Sequence, residues 1–139
     1  ILTLQTGLPF TVTLSPDSLN ISGEGKNRPD VVGDPSSGDH SITRWFNTSA
    51  FATPALYTFG NEAANTLRGP GFSNLDLGAQ KGISLTGSRM VILRMEAGNV
   101  FNHPSFGLPG SSYLGPNFGV IQSTASNPRT VQAVFRFEF

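Results

Sequence analysis

Three groups of side chains in this sequence have types and spacings that could carry chemistry. Asp30, Asp34, Asp39 and His40 lie in one stretch rich in Gly, Pro and Ser. Clustered oxygen ligands suit Ca²⁺, and an imidazole beside a carboxylate suits a transition metal, so Asp34, Asp39 and His40 form a candidate metal set. Their spacing fits neither an EF-hand loop nor an HExxH helix. The competing reading is turn chemistry: in RPDVVGDP, Pro fixes φ and Asp caps the backbone beside it. No cofactor is expected, and no metal is required by any motif.

Asp76, Glu96 and Glu138 are the second group. Two carboxylates at a suitable separation hydrolyse glycosidic bonds, so an enzyme built on them would be a hydrolase. Ion pairing with Arg94 and Arg136, which share their face, is the simpler reading. The third group is aromatic: Trp45, Phe46, Phe51 and Tyr57, with Phe59 close by. Such rings can stack a ligand, or supply a long connection with a small core of its own. Other chemistry lacks its parts. There is no Cys and no GxSxG, and of the two His, His103 precedes a proline that favours extended geometry. TLRGPG lacks the GK[ST] of a phosphate-binding loop.

Four segments with period-two alternation must position these residues. They run over 1–14, 72–81, 89–101 and 129–139, separated by long connections at 15–71 and 102–128 and by a short one, GISLTGS. Along the first, Leu2, Leu4, Leu8, Phe10, Val12 and Leu14 share a face. Along the last, Val131, Ala133, Phe135, Phe137 and Phe139 oppose Thr130, Gln132, Arg136 and Glu138. Helix is expected for a turn or two at most, near 61–66.

Composition agrees with strands and turns. Gly, Pro, Ser, Thr and Asn make up 63 of 139 residues, which disfavours a helical bundle, while 11 Phe argue against disorder. Nine Lys and Arg balance nine Asp and Glu, so nucleic acid is not an expected partner. No apolar run reaches the length of a transmembrane helix.

Long structureless connections are uncommon in compact soluble domains but ordinary in transmembrane barrels, where short turns face the periplasm and long loops face outward. With the last strand running inward, both long connections fall outside and GISLTGS inside. The fold expected is therefore all-β, with about four antiparallel up-and-down strands of a transmembrane β-barrel. Lipid would meet Leu8, Phe10, Leu93, Phe135 and Phe137, and the lumen would meet Asp76, Arg94, Glu96, Arg136 and Glu138. A small soluble β-sandwich is the alternative, because its strands alternate in the same way.

Seven stretches in order resemble the C-terminal end of TonB-dependent outer-membrane receptors, in particular the Oar-like group with a carboxypeptidase-regulatory-like N-terminal domain. They are LQTGLPFTVT (4–13), RPDVVGDP (28–35), RWFNTSAF (44–51), FGNEAANTLRGPGFSNLDLGAQK (59–81), EAGNVFNHPSFG (96–107), FGVIQSTASNPR (118–129) and VFRFEF (134–139). The last is similar to the C-terminal signal by which such barrels are recognised for insertion.

The resemblance implies a bacterial outer-membrane location and a single C-terminal barrel segment over 1–139. That segment would lend wall and extracellular loops to ligand uptake by a parent protein and have no activity of its own. Its implied partners are the rest of the barrel or other copies of the chain, outer-membrane lipid, and a small-molecule or glycan ligand. Such receptors have a plug, an energy-coupling box and about 22 strands, so four strands imply a portion of something larger, a chain that folds differently on its own, or several copies that close a barrel together. The alternative function is a freestanding soluble β-domain that binds or hydrolyses a polymer such as a glycan.

Overall fold

The structure, a computed structural model, describes residues 1–14, 19 and 27–139. Among them the chain forms β1 (Leu2–Gln5), β2 (Pro9–Phe10), β3 (Thr13–Leu14), β4 (Asp30–Val31), β5 (Phe51–Ala52), β6 (Leu67–Arg68), β7 (Phe72–Leu75), β8 (Leu77–Ser84), β9 (Met90–Gly98), β10 (Ser112–Tyr113) and β11 (Thr130–Glu138). One turn of 3-10 helix at Thr48–Ala50, capped by the Asn47 side chain, is the only helix among the described residues. It lies outside the 61–66 stretch where a helical turn was expected. The chain is all-β, and it divides into two compact units.

The first unit holds 1–5, 72–105 and 124–139. Its centre is a three-stranded antiparallel sheet in the order β11-β9-β8. Alternation sets the register: Val91, Leu93, Met95 and Ala97 of β9 face Phe137, Phe135, Ala133 and Val131 of β11. On the other side of β9 the same residues face Ile83, Lys81, Ala79 and Leu77 of β8. A slip of one residue would turn all of these over to the polar face. The β8–β9 turn is closed by Leu85 N–H donating to the Arg89 carbonyl at 2.8 Å. Asp76 alone separates β7 from β8, and β7 pairs antiparallel with β1, Leu2 opposite Leu75 and Gln5 opposite Phe72.

The second unit holds 6–71 and 106–123. The long connections are thus not structureless. Phe10, Val12, Phe46, Ala50, Phe51 and Leu67 are buried together, with Val31, Trp45, Tyr113 and Phe118 against them. Phe118 meets Phe46 edge-on at 5.1 Å between ring centroids and Phe51 at 5.7 Å, the tilted geometry that aromatic quadrupoles favour. Short ladders tie the two segments of this unit: β3 pairs parallel with β10, and Trp45 N–H donates to the Gly119 carbonyl at 2.9 Å.

The run over 1–14 is not one strand. It contributes β1 to the first unit, while β2 pairs with β6 and β3 with β10 in the second. Gly7 and Pro9 explain the break. A Cβ on Gly7 would stand 1.8 Å from the Gly69 carbonyl oxygen, and Pro9 has no N–H to donate to a ladder. The shared apolar face is divided accordingly. Leu2, Leu4 and Leu8 stay exposed, whereas Phe10, expected to meet lipid, is buried with Val12 and Leu14.

Candidate functional site

The wall of the first unit has two unlike faces. On one, Leu93, Met95, Val131, Phe135 and Phe137 are exposed, Phe135 to 68%. A soluble sandwich would bury such a face, and here nothing within the unit covers it. The other face carries two ion pairs along the strands. Arg94 donates to Glu96 through Nε at 3.0 Å as well as through its terminal nitrogen, and Arg136 meets Glu138 at 2.9 Å. Exposed pairs of this kind contribute about 0–1 kcal/mol each. Their effect is to make one face of the wall suited to water and the other to hydrocarbon.

Past the end of β9 a polar knot joins both ends of the 102–128 connection. Asn99, at φ +48 and buried, donates from Nδ2 to the carbonyls of Asn127 (2.9 Å) and His103 (3.3 Å), and accepts His103 N–H on Oδ1 at 3.1 Å. Its own N–H donates to Asp76 Oδ1 at 2.9 Å, the oxygen that also accepts Asn74 Nδ2 at 2.8 Å. Asn102 Oδ1 accepts Arg129 N–H at 3.2 Å. Ser105 Oγ accepts Ser73 N–H at 3.1 Å and donates to the Ser73 carbonyl, while Ser105 N–H donates to Ser126 Oγ at 2.8 Å. Asn99, Asn102 and Ser105 were not among the residues singled out by type and spacing. Their signal lay in GNVFNHPS, where Asn tolerates positive φ and bonds nearby backbone.

Glu96 and Glu138 do not form a hydrolytic pair. Glu96 lies opposite Gln132 and Glu138 opposite Met90. Those positions are about 20 Å apart along the strands, well beyond the separation either hydrolytic mechanism uses. Glu96 and Glu138 each hold an arginine, and Asp76 belongs to the knot.

The metal candidates do not converge either. Asp34 Oδ1 accepts the Ser36 hydroxyl at 2.6 Å and its N–H at 2.9 Å, and these bonds, the hydroxyl first, hold the Asp34 carboxyl below the usual aspartate range. Asp39 pairs with Arg44 at 2.5 Å, and the His40 ring sits edge-on to Trp45. No three metal-ligating side chains come together among the described residues.

Of the aromatic group, Phe46 and Phe51 are core and offer no ring face to a ligand. Trp45 is half-buried, its indole N–H donating to the Arg68 carbonyl at 2.8 Å. Tyr57, at φ +63, is 70% exposed, with Phe59 exposed nearby.

A sheet with one apolar face open and one charged face is the wall of a membrane barrel seen in part, and comparison with known families agrees. A family model described as an outer membrane beta barrel domain matches residues 1–132. The chain belongs to this family. It is a barrel-wall protein of the bacterial outer membrane. No curated protein and no solved structure matches the chain. No helix among the described residues is long and apolar enough to cross a membrane; in this family the strands cross.

Proposed function

We propose that this outer-membrane barrel segment is the C-terminal wall of a TonB-dependent receptor of the Oar-like group, and that it serves ligand uptake by that receptor. The strands form its lipid-facing wall, the charged face lines the lumen, and 15–71 and 102–128 are extracellular loops that capture ligand and hand it inward. The chain itself performs no covalent chemistry. The observation that carries the reading is that the two long connections share an aromatic core, as loops built to present a fixed surface outside the cell would, while the β8–β9 connection is a tight turn. The seven motifs from 4 to 139 supply the receptor class.

This stretch contains no cysteine, so single cysteines placed in it give a topology test, with the unsubstituted protein as the reference. Leu56→Cys, in the first long connection, is expected to react with a membrane-impermeant maleimide on intact cells. Ser88→Cys, in the short turn, is expected to react only after the outer membrane is opened. The opposite pattern would invert the topology and remove the extracellular role. Ligand accumulation that continues unchanged in cells lacking TonB would remove the receptor class.

A further inference from the structure

We infer that a cleft at the loop end of the wall, between Asn74, Asp76, Asn127 and Thr130, is a binding subsite for a saccharide unit. The inference deepens the uptake reading and rests on it for the direction from which ligand arrives. The cleft has a volume of about 320 Å³, enough for a single sugar ring and part of its neighbour. Phe72, Asn74 and Asp76 line it from β7 and the residue after it, Gly98 from β9 and Thr130 from β11. By parity these strand positions continue the face that carries Arg94, Glu96, Arg136 and Glu138, so the cleft opens on the polar side of the wall.

Its chemistry selects the ligand class. No Lys or Arg lines it, so it offers no counter-charge to a phosphate or a carboxylate, and Asp76 disfavours both. What it does offer is planar amide and carboxylate groups and hydroxyls, donors and acceptors set side by side as vicinal sugar hydroxyls require, with the Phe72 ring as the apolar wall. Asn99 and Ser126 frame the cleft and are engaged in the knot, which holds the lining in place before ligand arrives. Among the described residues Asn127 is met only at its backbone carbonyl, by Asn99 Nδ2, and no hydrogen bond engages the Asn127 or Thr130 side chain, leaving their donors and acceptors for a ligand. Gly98 keeps the space open: a Cβ there would stand 3.0 Å from Thr130 Oγ1 and 3.6 Å from Asp76 Oδ1.

The test uses the full-length outer-membrane protein that carries this chain, purified in detergent and applied to an array of neutral, amino and acidic oligosaccharides. Retention of a neutral or amino oligosaccharide, with acidic ones rejected, is the expected result. Calorimetric titration with the retained sugar should then weaken about three- to tenfold in Asn127→Ala and again in Thr130→Val, the loss of one hydrogen bond each. Both side chains are exposed and make no hydrogen bond to the described residues, so neither change should disturb folding; an unaltered melting transition checks this. Retention of short peptides only, retention of nothing, or identical affinity in both variants overturns the saccharide cleft. The uptake reading fails separately. Sugar that binds as expected yet accumulates equally without TonB removes uptake and keeps the cleft. TonB-dependent accumulation untouched by the two variants removes the cleft and keeps uptake.

Discussion

Asn99 uses both side-chain polar atoms inside the protein and does so from a left-handed backbone that few residues adopt readily. Asn99→Ala should therefore cost roughly 2–3 kcal/mol, from lost hydrogen bonds and backbone strain together. Hydrogen exchange at the His103 amide should speed at least tenfold, while the β9 amides stay protected. Asp34 gives a pH dependence whose sign is fixed. Its folded carboxyl titrates below the unfolded one, so the Ser36 contacts stabilise the loop above the ordinary aspartate range and that contribution is lost as pH falls through the lowered value. Carbon NMR of the Asp34 carboxyl should show the depressed midpoint, and Ser36→Ala should return it towards an ordinary aspartate. Residue roles were the least legible part of the sequence. The pairing of Glu96 and Glu138 with Arg94 and Arg136 was readable from their shared face, but the partners of Asp39 and Asn99 become visible only once strands and turns are in register.

At the scale of the element, the alternating segments near β8, β9 and β11 were readable because a period of two over nine residues leaves little choice of face. The first segment misled for a physical reason. Its alternation is as regular, but pairing depends on backbone, and Gly7 with Pro9 divides it among three partners. The two faces of β11 make a sharp comparison. Phe135→Arg places a charge against hydrocarbon and should cost about 2–4 kcal/mol, lowering the heat-modifiable folded fraction in outer membranes. Gln132→Arg, on the polar face opposite Glu96, should leave that fraction close to wild type. Equal effects would mean that the faces have been assigned wrongly. In the second unit, Phe46→Ala removes a ring that is 1% exposed and touches Phe10, Phe51 and Phe118. A loss of about 3–5 kcal/mol should open 27–71 to limited proteolysis while the β9–β11 ladder stays protected.

The whole molecule buries little of what it would have to bury in water. Its aromatic core belongs to the second unit, and the wall strands expose apolar side chains along their length. Size-exclusion chromatography with light scattering should find aggregates in plain buffer and a discrete species in mild detergent. A monodisperse protein near 15 kDa without detergent would contradict the assignment of the apolar face to lipid. The architecture was legible at this scale because loop asymmetry and strand parity are properties of the entire sequence and survive local errors. The folded second unit was not, because its core draws on Phe10, Phe51 and Phe118, far apart in the chain.

The parallel pairing of β3 with β10 has a kinetic side. Strands so distant in sequence meet only after a large loop-closure entropy has been overcome, which makes their contact slow and late. β3 must then wait for 106–123, although β2 beside it can already pair with β6. The β10 edge of the aromatic core is thereby the last part of the second unit to close, after the more local pairings of β2 with β6 and of β4 with β5.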